Sequence, residues 1–155
     1  MLNKEEKKVI NQQFWNGFKL FMRGIPSANG KRMNWLNYPT DVKILFLRLE
    51  ANTRYARVSF DIQAKDSGVR SIIWEQMEEL KAVLTNAMQG DSGTWEFEYS
   101  NSSVSSYSTI YWELDNVNYL REKDHEVIYS FFKEKLIGFD DFYQNFKDIL
   151  ILLIK

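Results

Sequence analysis

Apolar residues recur at steps of three and four near the start of the chain. Ile10, Phe14, Phe18, Phe21, Met22 and Ile25 share one face of a helix running from about Asn3 to Arg23. Gly24 and then Pro26 stop it, the first by a left-handed turn and the second by its missing N–H. Gly17 weakens this helix locally and marks a close contact. A polar and aromatic loop over residues 26–41 follows, with Ser27, Asn29, Gly30, Lys31, Arg32, Asn34, Trp35 and Tyr38. Pro39 holds Tyr38 extended.

The period then changes to two. Over Val42 to Glu50, Leu45, Leu47 and Leu49 fall on one face and Ile44, Phe46, Arg48 and Glu50 on the other. Ala51-Asn52-Thr53 is a short turn. From Arg54 to Gln63, Ala56, Val58, Phe60 and Ile62 point inward, and Tyr55, Arg57, Ser59 and Asp61 outward. This is an antiparallel hairpin with one apolar face. Asp66-Ser67-Gly68 starts a helix over about Val69 to Gln89, with Ile73, Met77, Leu80, Leu84 and Met88 on one side and Gly90 as its stop. A second hairpin alternates Trp95, Phe97 and Tyr99 with Glu96 and Glu98. It passes through a serine-rich loop at Ser100–Ser106 and returns with Ile110, Trp112 and Leu114 against Tyr111 and Glu113. From about Asp124 a helical stripe runs through Ile128, Phe131, Phe132, Leu136, Phe139, Phe142, Phe146, Ile149 and Leu153, with Gly138 as a point where it could divide. The order α-β-β-α-β-β-α predicts an α+β domain over residues 1–155, with an antiparallel sheet of about four strands packed against helices.

Composition narrows the chemistry. The chain has 155 residues, 45% of them hydrophobic, so it buries a core without staples. It has no cysteine, which removes disulfides, thiolate catalysis and thiolate metal sites and favours the cytoplasm. Its one histidine, His125, nearly excludes a zinc site of nitrogen and sulfur ligands. It lies beside Asp124 and Glu126 and reads as a solvated first-turn residue. The N-terminus does not read as a signal peptide, and the longest apolar run, Ile149 to Ile154, is too short to span a bilayer. The net charge of −1 conceals a polarity. Residues 1–70 hold thirteen Lys and Arg against six Asp and Glu, and residues 71–155 hold seven against fifteen. Either the halves interleave and their charges mix, or they orient a second copy or an anionic partner.

No catalytic set stands out. Glu50, Asp61 and Gln63-Ala64-Lys65 have residue types that suit a divalent-metal nuclease, with carboxylates for the ion and a lysine beside the water. On a strand's polar face such residues are also ordinary. Glu96, Glu98 and Glu113 could pair for glycoside hydrolysis, yet acids alternating with aromatics more simply mark an exposed sheet face. The glycines do not cluster into a phosphate loop. A binding site has better support: Arg48, Arg54 and Arg57 lie on the first hairpin, and Trp35, Tyr38 and Tyr55 interleave with them. Arginines with aromatics hold phosphates and stack on bases. The alternative is that these arginines pair with Glu50, Asp61 or the acidic second hairpin.

The hairpin segment Asn52-Thr53-Arg54-Tyr55-Ala56-Arg57-Val58-Ser59-Phe60-Asp61 resembles a bacterial domain-of-unknown-function family, number 4268. The aromatic pair Phe14-Trp15, the loop Asn34-Trp35-Leu36-Asn37-Tyr38 and the spaced Phe131, Phe139, Phe142 and Phe146 fit the same family. The resemblance runs from about Phe14 to Ile149. Some members carry this domain after a restriction-nuclease-like domain, which implies a DNA-processing or defence neighbourhood. The apolar C-terminus departs from the family's usual basic segment. The expected function is a non-enzymatic interaction domain without a cofactor, its partner being another protein or a second copy. Nucleic-acid binding through the first hairpin and metal-dependent nuclease activity are the alternatives.

Overall fold

The computed structural model describes residues 1–100 and 106–154. The serine-rich loop expected at Ser100–Ser106 therefore falls mostly outside the described residues. Helix α1 spans Lys4–Phe21. Asn3 accepts from the Glu6 N–H at 2.8 Å, and the Glu6 carboxylate accepts from the Asn3 N–H, so two end donors are satisfied reciprocally. Gly24 follows with φ of 81° and ends the helix as its sequence position predicts.

Strands β1 (Leu45–Ala51) and β2 (Tyr55–Ile62) form the first hairpin, and β3 (Thr94–Tyr99) and β4 (Tyr107–Asp115) the second. The sheet order is β1-β2-β4-β3, antiparallel throughout, so the second strand of each hairpin is central. β1 starts three residues later than Val42 because Thr40 bends the chain there. Its hydroxyl donates to the Leu45 carbonyl at 2.7 Å, and Asp41 takes a φ of 67°. In the hairpin turn the Asn52 side chain accepts from the backbone N–H groups of Arg54 and Tyr55.

Between the hairpins the expected single helix is two: α2 (Ser67–Glu79), capped by Asp66, and α3 (Lys81–Ala87), meeting at Leu80. The last helix, α4, runs unbroken over Glu122–Ile154. Gly138 does not divide it. A Cβ there would stand 2.5 Å from the Ala87 carbonyl oxygen, so this glycine lets α3 approach α4. Gly17 likewise faces Tyr129 of α4, whose hydroxyl donates to the Phe14 carbonyl at 2.6 Å.

The core lies between the sheet and the helices. Ala56, Val58, Phe60 and Ile62 have no exposed surface, and Ile110 and Trp112 join them from β4. Phe139 of α4 packs on Phe60 and Trp112, and Trp74 of α2 packs on Trp95 and Phe97. Phe14 and Phe18 of α1 close the far side against Phe132. His125 is half-buried rather than solvated: its ring packs on Phe14, and Nε2 lies 2.6 Å from the Tyr119 carbonyl oxygen. The oppositely charged halves interleave, with Arg57 bound to Glu113 and Arg70 to Glu98.

Candidate functional site

Phe139 and Trp74 meet the sheet through its apolar positions. The opposite face carries the polar positions of the same strands in three cross-strand rows. Glu50, Arg57 and Glu113 form the first, Arg48, Ser59, Tyr111 and Thr94 the second, and Phe46, Asp61, Thr109 and Glu96 the third. Alternation within each strand puts these residues outward, and the order β1-β2-β4-β3 brings the rows together.

Arg57 is the centre. Its guanidinium lies 4.0 Å from the Tyr111 ring centroid and 4.7 Å from that of Tyr55. It donates from Nε to Glu113 at 2.9 Å and from Nη1 to the Tyr99 hydroxyl at 3.2 Å. Tyr55 donates to Glu50 at 3.0 Å. Burial raises the pKa of both Tyr55 and Tyr111, reinforced by Glu50 beside the first and Glu96 beside the second, so both phenols remain protonated donors at neutral pH. Arg48 lies over the Phe46 ring at 4.4 Å and reaches Asp61 at 3.5 Å. Asp61 is only 3% exposed and accepts from Thr109 at 2.7 Å. Burial raises its pKa, opposed by the Thr109 and Ser59 hydrogen bonds and by Arg48 and Arg57.

The six residues singled out from the sequence separate into three places. Arg48, Tyr55 and Arg57 lie together on the open face. Arg54 sits at the hairpin tip, its guanidinium 6.0 Å from the Tyr55 ring centroid, beside a cleft of about 760 Å³ that it lines with Tyr55, Arg121, Asp115 and Asn118. Trp35 and Tyr38 are buried, 4% and 7% exposed, on the helix side of the fold. The Trp35 indole donates to the Ile25 carbonyl at 2.9 Å, and the Tyr38 hydroxyl to Asp140 at 2.6 Å. Asp140 also accepts from the Ser27 hydroxyl, the Ala28 N–H and the Gln144 amide. Tyr38 therefore anchors the loop to α4 and Trp35 ties it back to Ile25, and neither interleaves with the hairpin arginines. Nothing local in Trp35-x-x-Tyr38 signals a carboxylate more than a hundred residues away.

The charges of the open face differ from what an arginine cluster suggests. Two arginines, Arg48 and Arg57, stand among Glu50, Asp61, Glu96 and Glu113, and both are ion-paired. Tyr99, Tyr111 and Glu113 complete the cluster. Their alternation was legible, but their neighbours were not, because these depend on β2 pairing with β4. The nuclease-type residues do not converge. Glu50 faces Arg57, four residues from Asp61 along β2, which is a spacing of about 13 Å. Among the described residues no three His, Cys, Asp or Glu side chains are grouped to hold a metal ion. Glu98 leaves the glutamate set as well: the irregularity between Glu96 and Tyr99 turns it to Arg70 of α2 at 2.7 Å. Among the described residues no helix is long and apolar enough to cross a membrane.

No curated protein and no solved structure matches the chain. The sequence model of a family described as Domain of unknown function (DUF4268) matches residues 10–147 of the 155. The match takes in both hairpins, the loop holding Trp35 and Tyr38, and all but the last two turns of α4, so the chain belongs to the DUF4268 family.

Proposed function

We propose that this protein works by binding, as a non-enzymatic interaction domain, and that the helix-free sheet face is its contact surface. The observation that carries this reading is the arrangement around Arg57. Three tyrosines and an arginine are held by one another on a face that no helix occupies among the described residues. Arginine and tyrosine are the residue types that concentrate binding energy at protein interfaces. Their ordering before contact lowers the entropy cost of association. The surplus of carboxylates favours a partner surface with basic residues over a phosphate backbone.

The family resemblance supports an accessory role in bacterial DNA-processing systems, and the absence of cysteine supports the cytoplasm. The partner is another protein, and the chain also pairs with itself.

Tyr111→Ala and Arg57→Ala variants, checked for an unchanged fold, test the reading in affinity capture from the source cells. A partner retained by the wild type and lost by both variants is the expected result. Plasmid cleavage with Mg²⁺ or Mn²⁺ that disappears in Lys65→Ala would replace this reading with the nuclease.

A further inference from the structure

A second surface lies between the C-terminal end of α1 and the loop after it. Lys19, in the last turn of α1, and Arg23, just past the helix end, form one wall, and Arg32 stands on the loop wall. The loop returns towards the helix through a tight turn in which Ser27 N–H donates to the Lys31 carbonyl at 2.9 Å and Gly30 takes a φ of 82°. Asp140 holds the start of this turn through Ser27 and Ala28, so the groove is built in advance. Its volume is about 990 Å³. Met22 and Trp35 lie buried beneath it, and Ile25, Met33 and Leu36 are half-exposed in its floor.

The charge of this groove is one-sided. Three cations line it with no carboxylate among the lining residues. None of the three belongs to an ion pair among the described residues. The groove thus has an apolar floor and an uncompensated cationic rim. We propose that it takes an acidic segment of a partner protein, with carboxylates meeting Lys19, Arg23 and Arg32 and an apolar side chain seated on Met33 and Leu36. Single-stranded nucleic acid would also satisfy the charges. It binds through accessible aromatic faces, however, and the one aromatic ring in this groove, Trp35, is 4% exposed. Thioether and aliphatic groups make an adaptable floor for side chains instead. This surface is distinct from the open sheet face, and the two fail or succeed separately.

The probe is a fluorescein-labelled amphipathic peptide, EDLLDEMFEELE, titrated with the full chain and followed by anisotropy. Saturable binding is expected in the range of about 1–100 µM, weakening with added salt. Lys19→Glu/Arg23→Glu should weaken it about tenfold or more, because two attractions become repulsions. Both positions are exposed, so folding is preserved and circular dichroism confirms it. The sheet-face variant Tyr111→Ala should bind as the wild type does. With the methionine methyls labelled by carbon-13, the peptide should shift Met33 and leave Met77 unchanged.

The proposal is overturned by no saturable binding up to 1 mM, equal binding of the same peptide with Gln and Asn in place of its acids, indifference to the double charge reversal, or tighter binding of oligo(dT) than of the peptide. A Met33 shift that grows with protein concentration alone would assign the groove to a second copy, and so also overturns it.

Discussion

At the scale of single residues, two buried acids on opposite sides of the fold do different work. Asp140 is 1% exposed and is satisfied by neutral donors, of which the Tyr38 hydroxyl is the shortest. Burial first, and then Asp140 itself, drive the Tyr38 pKa upward, so this phenol stays a donor at every pH the protein meets. Removing one hydrogen bond to a charged group costs about 1.5–3 kcal/mol. Tyr38→Phe is therefore expected to lower the unfolding free energy by about 2 kcal/mol. Urea denaturation measures this, and a change below about 0.5 kcal/mol would mean the network does not hold the loop. At Asp61, burial raises the pKa in the folded state. Between the ordinary carboxylate range and that raised value the folded chain holds a proton the unfolded chain has lost. Stability from this group is thus largest at low pH and falls as pH rises through the folded value. Asp61→Asn removes that dependence. The stability of the variant relative to wild type should improve as pH rises above the ordinary carboxylate range. A difference that is flat or of opposite slope there would show that burial does not govern this carboxyl.

At the scale of elements, the helices come close because glycine permits it. An alanine at an interior helix position is worth about 1 kcal/mol over glycine. At Gly138 that gain meets a backbone oxygen, Ala87 O, 2.5 Å from the new Cβ, with Met88 Sδ at 3.0 Å. Overpacking of this kind costs about 1–3 kcal/mol, and the carbonyl cannot move without shifting the end of α3. Gly138→Ala is therefore expected to be destabilising by up to about 2 kcal/mol. A higher melting temperature than wild type would mean that α3 yields freely. The same contact explains why Gly138 does not divide α4: the residue serves the neighbour and not a break. At Leu80 the reverse holds. The apolar stripe continues through that residue, and only the backbone, at φ of −93° and ψ of 4°, leaves the helix.

At the scale of the whole molecule, the last turns of α4 have more apolar surface than the fold covers. Leu150 is fully buried, while Ile149, Leu152 and Leu153 are 39%, 70% and 37% exposed. Clustered apolar exposure of this sort marks a surface that pairs, and two-fold pairing is the commonest form in soluble assemblies. The expected state is a dimer at micromolar concentration, seen by light scattering. Leu152→Asp/Leu153→Asp should return it to a monomer without unfolding it, since Leu150 keeps its place in the core. A monomeric wild type at about 100 µM would end this idea. A variant that remains dimeric would move the interface away from α4.

Features that depend on near neighbours were legible along the chain. The α-β-β-α-β-β-α order, the Asp66 cap, the Gly24 stop, the Asn52 turn and the inward set Ala56, Val58, Phe60 and Ile62 all follow from periodicity and local hydrogen bonding. The family was legible for the same reason, because its motifs lie in single short segments. Which segments meet was settled by folding alone. The pairing of β2 with β4 sets Glu113 against Arg57 and turns an apparent basic hairpin into a tyrosine-lined face with excess acid. The docking of the loop on α4 draws Trp35 and Tyr38 into the core, because Asp140 lies a hundred residues further along the chain and only the folded protein brings it within reach. Such contacts carry no local signature, since their geometry is fixed by the packing of whole elements and not by the residues that precede or follow them.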